Sequence, residues 1–108
     1  MQHNSDSHES TMEAVVRAIQ TRRVIEAEYN GTRMMLSPHQ LFVRHGSVFI
    51  KAYNPSKSRR HDEEPTLGVF NIVGMKNVML TEQSFEPLVD FDGQLPRGDE
   101  TSLEMVRS

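Results

Sequence analysis

The chain has 108 residues and a hydrophobic fraction of 36%, which is enough for one domain with a small core. It contains no cysteine, so disulfides and thiolate chemistry are excluded, and no apolar run approaches the roughly 18 residues of a membrane span. The net charge of −3 conceals an asymmetry, because residues 11–60 carry +6 and residues 61–108 carry −7.

This charge distribution favours an anionic partner for the basic body of the chain. Solvated faces followed by a solubilising acidic tail explain the same charges, and both interpretations stay open. The chain opens with polar residues rather than a signal peptide, so we expect a cytoplasmic protein.

The N-terminal part combines a polar leader with one helix. Residues 1–10 are predicted to form a disordered leader. Ser10 and Glu13 match a capping box, in which the serine caps the helix and the glutamate reaches back to it. Apolar residues then recur at helical spacing and predict a helix over 11–21, at Met12, Val15, Val16 and Ile19.

After Arg22 and Arg23, two cations placed to suit the C-terminal end of the helix dipole, the hydrophobic period changes to two. In 24–29, the residues Ile25, Ala27 and Tyr29 share one side, which is typical of a half-buried strand. Asn30-Gly31 predicts a type I′ hairpin turn. Further strands are predicted over 32–43, 48–53, 66–73 and 77–81, with Pro38 at a bend, bulge or edge.

One helix followed by five short strands indicates a mainly β fold, the Sm-like variant of the SH3-type small barrel. The domain is predicted to span 11–88, with Phe85 and Leu88 covering an open end of the barrel. Residues 89–108 are acidic and are predicted to be a mostly disordered tail. An α+β layer is the rival fold, but it requires a second helix that the pattern does not supply.

From about Val16 to Phe85 the chain resembles the WYL domain, a bacterial regulatory module with the Sm-like barrel fold. Val48-Phe49-Ile50 stands where the family has its Trp-Tyr-Leu triplet. The other matching positions, in chain order, are Ala18-Ile19, Arg22-Arg23, Tyr29, Gly31, Arg33, Pro38, Leu41, Arg44 to Gly46, Ala52-Tyr53, Phe70 and Phe85.

The resemblance implies a domain that senses an anionic ligand, often through arginines on the fourth strand. This chain departs from that pattern, because Gly68, Asn71 and Gly74 stand where three of those arginines are expected. Most relatives also carry an N-terminal helix-turn-helix domain that reads DNA. The ten polar residues before the predicted helix leave no room for such a domain.

Cations interleaved with aromatic residues are the main candidate site. Arg33, Arg44 and Lys51 with Phe49 and Tyr53 offer charges for phosphates and rings for stacked bases, as single-stranded nucleic acid requires. The structural alternative places the two rings in the barrel core and the cations on its exterior. Arg33 is the preferred cation because its position matches the family.

His39 follows Pro38 at a polar position of the family pattern. It is a candidate for a pH-sensitive pocket residue, with an ordinary surface histidine as the alternative. The spacing of the histidines does not match a zinc site, so we expect no metal, no cofactor and no catalysis.

Two functions therefore follow from the sequence. The first is a regulatory module that binds a nucleotide or single-stranded nucleic acid and acts on transcription, through a regulatory protein partner that supplies the DNA reader. The second is a protein-interaction module, homodimeric through barrel edges and without a small ligand. Neither function involves a membrane.

Overall fold

The computed structural model describes residues 4–55, 66–89, 91–95 and 98–106. Within them the chain forms one helix, six strands and a short 3₁₀ turn. In chain order these are α1 (Asn4–Thr21), β1 (Arg23–Tyr29), β2 (Thr32–Arg44), β3 (Ser47–Tyr53), β4 (Gly68–Asn71), the 3₁₀ turn Ile72–Gly74, β5 (Met75–Ser84) and β6 (Glu100–Met105).

Two tight turns connect the first three strands. Asn30 and Gly31 both have positive φ, at 50° and 85°, which confirms the predicted type I′ turn between β1 and β2. His45 and Gly46 repeat this geometry between β2 and β3, at 51° and 76°. Both turns fix an antiparallel register without a bulge at their base, with Tyr29 opposite Thr32 and Arg44 opposite Ser47.

The sheet is organised around β2, the longest strand. The strands are ordered β4-β3-β2-β1-β5, and β6 also pairs with β2. The first half of β2 pairs with β1, and the second half pairs with β3 on one edge and β6 on the other. An irregularity between Pro38 and Gln40 separates the two halves, which agrees with a bend or bulge at the proline. This mainly β, barrel-like architecture confirms the predicted fold class, with a sixth strand added.

The core lies between α1 and one face of the sheet. Val15, Ala18 and Ile19 of α1 are buried, so the predicted apolar stripe does face the sheet. Ile25 and Ala27 are fully buried while Glu26 and Glu28 are not, as the alternation in β1 predicts. Each fully buried aliphatic side chain stabilises such a fold by roughly 1.5–3 kcal/mol.

The N-terminal boundary differs from the prediction. Helix α1 begins at Asn4, so residues 4–10 are helical and Ser10 is an internal helical residue rather than an N-cap. These residues are polar, so they lack the apolar periodicity on which the prediction depended.

The C-terminal segment also differs from the prediction. Glu100–Met105 forms β6 instead of part of a disordered tail, and Val106 is 7% exposed. The backbone N–H of Val106 donates to the carbonyl of His39 at 2.8 Å. A mostly polar strand such as this one gives little hydrophobic signal in the sequence. Its backbone hydrogen bonds come from the partner edge of β2.

The fourth strand is shorter than expected. It covers Gly68–Asn71, and the Asn71 side chain then caps the 3₁₀ turn by accepting a hydrogen bond from the Val73 N–H. The following strand, β5, is longer than expected and contains a bulge at Asn77, where φ is 51°. Among the described residues, no helix combines the length and apolar character needed to cross a bilayer.

Candidate functional site

The alternation of β2 and β3 places a set of aromatic and basic side chains on the face of the sheet away from α1. On β3, Ile50 and Ala52 belong to the core, whereas Phe49 and Lys51 point to the opposite face. On β2, Phe42 stacks on Phe49 and shares its face. We call Phe42, Arg44, Phe49 and Lys51 the aromatic–cation cluster.

The two rings of this cluster form a platform for the two cations. The ring centroids of Phe42 and Phe49 lie 5.7 Å apart with an interplanar angle of 25°. The Arg44 guanidinium carbon lies 5.1 Å from the Phe49 centroid and 5.6 Å from that of Phe42. Lys51 Nζ lies 5.9 Å from the Phe42 centroid. These distances fall within the range of cation–π attraction, which holds both cations over the rings.

Acceptors from the C-terminal part of the chain meet both cations. Arg44 Nε and Nη2 lie 2.7 and 2.5 Å from Oε2 of Glu100, whose side chain is 1% exposed. Lys51 Nζ donates to the carbonyl of Gln94 at 2.9 Å. The cluster therefore holds a carboxylate in the fold itself, through a partly buried charge-assisted hydrogen bond.

Gln40 extends the polar contacts at this face. Its Nε2 donates to the Gly93 carbonyl at 3.1 Å and to Ser102 Oγ at 3.0 Å. Its buried Oε1 has no hydrogen-bond partner among the described residues. Gln40 thus joins the centre of β2 to two points of the C-terminal part of the chain.

His39 is a buried connecting residue rather than a surface histidine. It is fully buried at the irregularity of β2, where its ring stacks on Phe85 at 5.2 Å and meets the edge of Phe91 at 5.3 Å. Its Nε2 accepts a hydrogen bond from the Leu88 N–H at 3.0 Å. The Nδ1 atom therefore carries the proton and donates it to the Ser37 carbonyl at 2.8 Å.

Burial lowers the pKa of His39 because a charged imidazolium is poorly solvated there, and the hydrogen bond to Ser37 raises the pKa in smaller measure. Phe85 and Leu88 thus pack against this histidine of β2. The ring lies away from the aromatic–cation cluster, since its neighbours Phe85 and Phe91 pack against the core that faces α1.

Arg33 does not join the aromatic–cation cluster. It lies on the first half of β2, where it pairs in register with Glu28 of β1. Its Nε lies 2.9 Å from Glu26 Oε2, and its Nη1 lies 3.7 Å from Glu28 Oε2. The hairpin register thus places two glutamates of β1 beside Arg33, whereas Arg44 and Lys51 lie over the rings of Phe42 and Phe49.

Tyr53 ends β3 two positions beyond Lys51 and is half-buried opposite Ser37. It thus extends the same strand face toward the middle of the sheet. Of the six predicted site residues, the structure brings together Arg44, Phe49 and Lys51, places Tyr53 on their strand, and separates Arg33 and His39 from them.

The three positions at which arginines were expected serve local structure here. Asn71 caps the 3₁₀ turn, and its backbone N–H donates to the hydroxyl of Tyr29 at 3.1 Å. A Cβ atom at Gly74 would lie 3.0 Å from Tyr29 Cε1 and from Asn30 Oδ1. A Cβ atom at Gly68 would lie 3.2 Å from Phe70 Cε1. A side chain at either glycine would therefore crowd a neighbouring aromatic ring.

Sequence reasoning missed Phe42, Gln40, Gln94 and Glu100. The alternation of β2 contains a signal for the first two, because Gln40, Phe42 and Arg44 recur at a period of two. Glu100 carries no such signal, since its role depends on β6 pairing with β2. Within the described residues, no group of three or more histidine, aspartate or glutamate side chains is arranged to hold a metal ion.

Comparison with known proteins bears on the fold. No family model matches the chain, and no curated protein matches it. Among solved structures, proteasome accessory factor B/C (PafBC) of Arthrobacter aurescens is similar, with a TM-score of 0.64 and 20% sequence identity over 77% of this chain. The match spans 13% of that protein's chain, so the similarity concerns one part of a much longer protein.

Proposed function

We propose that this chain is a non-catalytic regulatory module that binds a nucleotide or single-stranded nucleic acid at the aromatic–cation cluster. The observation that supports it best is the Arg44–Glu100 contact, in which a guanidinium lying over two stacked rings holds a buried carboxylate. A phosphate oxygen has the same charge and hydrogen-bonding capacity as that carboxylate oxygen.

The arrangement of the cluster also fits a base. The ring of Phe49 is half-buried, and Val69 lies opposite Lys51 on β4 with 48% exposure. A base stacked on this side of the sheet would place its phosphate near Arg44 and Lys51. Stacking on one ring contributes roughly 1–3 kcal/mol per base.

The transcriptional part of the proposal rests on the sequence resemblance. The WYL domain that the chain resembles is a bacterial regulatory module. The fold shared with PafBC at 20% identity agrees with that resemblance. We therefore propose a cytoplasmic protein that acts on transcription together with a partner carrying the DNA reader.

A titration of a labelled single-stranded oligonucleotide into the full chain tests this function. It is performed at two salt concentrations with wild type, Glu100→Gln, Arg44→Ala and Arg33→Ala. Two or three phosphate contacts predict a log–log salt slope of about −1.4 to −2.1. Arg44→Ala weakens binding at least about tenfold, the equivalent of losing one charge-assisted contact, and a nucleoside triphosphate competes if one nucleotide is sufficient.

Arg33→Ala is the matched control because it removes the same charge outside the cluster. Lack of binding at low salt by both wild type and Glu100→Gln, or an equal loss for the two arginine variants, contradicts the proposed site.

The second candidate is a homodimeric protein-interaction module. It is favoured by β5, a ten-residue strand that pairs with β1 along one edge, while the described residues place no strand along its other edge. Such an edge offers unpaired backbone groups to another strand. Sedimentation equilibrium over a wide range of protein concentrations tests this candidate, which requires a dimer that persists without nucleotide or nucleic acid.

A further inference from the structure

The part of the chain that covers the aromatic–cation cluster is acidic. We call residues 91–106 the C-terminal segment, of which 91–95 and 98–106 are described. Glu100 meets Arg44, and Asp99 Oδ2 lies 2.6 Å from His45 Nε2 in the adjacent turn. The Gln94 carbonyl accepts from Lys51. Each acceptor meets a donor at or beside the proposed ligand site.

Backbone pairing gives these contacts a defined register. Arg44 lies directly opposite Glu100, and Phe42 lies opposite Ser102. Cross-strand neighbours on one face stand close enough for side chains to interact, so the β2–β6 pairing delivers the carboxylate to the guanidinium. The position of Glu100 is therefore a property of the ladder and not of a freely moving tail.

Strand β6 of this segment is held mostly by polar contacts, whereas Phe91 at the start of the segment packs against the core. Thr101, Ser102, Leu103 and Met105 of β6 are exposed, and the ladder is irregular between Leu41 and Phe42. Val106, at 7% exposure, is the buried apolar anchor among the described residues of β6 and its C-terminal neighbour. Elements with few buried apolar contacts open at lower free energy than the core of a domain. Strand β6 is thus suited to leave β2 while the rest of the sheet remains folded.

We propose that the C-terminal segment is an internal competitor, which occupies the aromatic–cation cluster in place of the anionic ligand and must release Arg44 before that ligand binds. This inference rests on the proposed function. Nε and Nη2 of Arg44 both converge on Glu100 Oε2, so the two donors that would hold a phosphate are already engaged. The Gln94 carbonyl likewise engages Lys51.

Competition of this kind has a measurable consequence. The apparent dissociation constant of the ligand is its intrinsic value divided by the fraction of molecules in which the site is open. Replacing the Glu100 carboxylate by an amide removes the charge that competes for Arg44 and leaves a side chain of nearly the same size. We expect Glu100→Gln to bind a single-stranded oligonucleotide about tenfold more tightly than wild type. A rise of about tenfold in the open fraction lowers the apparent dissociation constant by the same factor.

The matched control is Glu82→Gln, which makes the same change of charge at an exposed position of β5. If net charge alone determines affinity, the two variants strengthen binding equally and the competitor model is overturned. If Glu100 competes directly, Glu82→Gln stays within about twofold of wild type after the general salt effect is taken into account.

A second measurement uses the unaltered chain and does not depend on how the variant folds. Amide hydrogen exchange is followed with and without saturating oligonucleotide. We expect the β6 amides, residues 101–105, and the Val106 amide to lose protection when the oligonucleotide binds, while the β1 amides at Ile25 and Ala27 keep theirs. Undiminished protection of β6 in the bound state overturns the inference.

The outcomes separate the two proposals. Equal affinities for wild type and Glu100→Gln, with β6 still protected, overturn the competitor and leave the binding function intact. Absence of binding by both chains overturns the binding function, and the competitor with it.

Discussion

Leu88 donates its backbone N–H to Nε2 of His39 at 3.0 Å, and this contact fixes which imidazole nitrogen carries the proton. Nδ1 is left to donate to the Ser37 carbonyl, while the carbonyl of His39 itself accepts from Val106. One buried residue of β2 therefore links the segment after β5 to the C-terminal end of β6. Protonation of Nε2 would place two donors against each other at this junction.

Stability should depend on pH through His39. Because burial lowers its pKa in the fold, the unfolded chain binds the proton more readily. The stability contributed by the neutral ring is fully present above about pH 6.5, the ordinary histidine pKa, and is lost as the pH falls toward the lowered folded-state pKa. Its slope is at most about 1.4 kcal/mol per pH unit.

Urea unfolding across this pH range checks the expectation, with His39→Gln giving a flatter pH profile than wild type. The control is His45→Gln, which replaces an exposed histidine of the β2–β3 turn. A profile in which His45→Gln removes the pH dependence and His39→Gln retains it would contradict the assignment to His39.

Arg33→Ala should leave ligand affinity within about twofold of wild type. Arg33 is engaged by Glu26 and Glu28 and lies on the half of β2 that pairs with β1. With about 40% of its side chain exposed, the ion pair contributes about 0–1 kcal/mol to stability. Oligonucleotide titration measures the change in affinity, and urea unfolding measures the change in stability. A tenfold loss of affinity would show that Arg33 belongs to the binding site.

Gly93→Ala should destabilise the chain more than Gly46→Ala does. Both glycines have φ of +76°, so both substitutions incur the strain of a left-handed backbone, roughly 1 kcal/mol. A Cβ atom at Gly93 would also lie 2.5 Å from Met105 Sδ, whereas nothing lies within 4 Å at Gly46.

The additional loss at Gly93 is modest, because the end of the Met105 side chain is flexible. Urea unfolding gives the free-energy difference, and hydrogen exchange should show reduced protection of β6 in Gly93→Ala alone. Identical behaviour of the two variants would mean that the contact between Gly93 and Met105 does not help to hold the C-terminal segment.

Phe42→Ala should cost about 3–5 kcal/mol of stability, because a fully buried ring is removed from beneath Phe49 and the two cations. The comparison variant is Val73→Ala at a 62% exposed position, where a change within about 0.5 kcal/mol is expected. Urea unfolding of both variants measures the change in the free energy of unfolding. A loss below about 1 kcal/mol for Phe42→Ala would show that the outer face carries little of the packing.

Local patterns predicted the helix and the hairpin register well. The spacing of Val15 and Ile19 identified the buried side of α1, and the alternation at Ile25 and Ala27 identified the buried side of β1. Asn30-Gly31 identified a turn whose dihedral angles need two residues tolerant of positive φ. These features depend on neighbours in the sequence, which is why they can be read without a structure.

The composition of the candidate site was only partly accessible in this way. Phe49 and Lys51 alternate on one strand, so their shared side follows from the sequence. The position of Arg33 in a family pattern did not reveal the two carboxylates that the β1–β2 register places beside it. Glu100 and Arg44 are 56 positions apart, and their contact depends on a strand that the acidic tail was not expected to form.

By itself, the sequence determined the mainly β class, the helix that covers the sheet and the alternation that separates its two faces, because short-range periodicity is sufficient for each. Tertiary structure alone decided which charges meet. Pairing of β6 with β2 joins groups from distant parts of the chain, and the strength of a charge pair depends on separation and burial that no spacing in the sequence encodes.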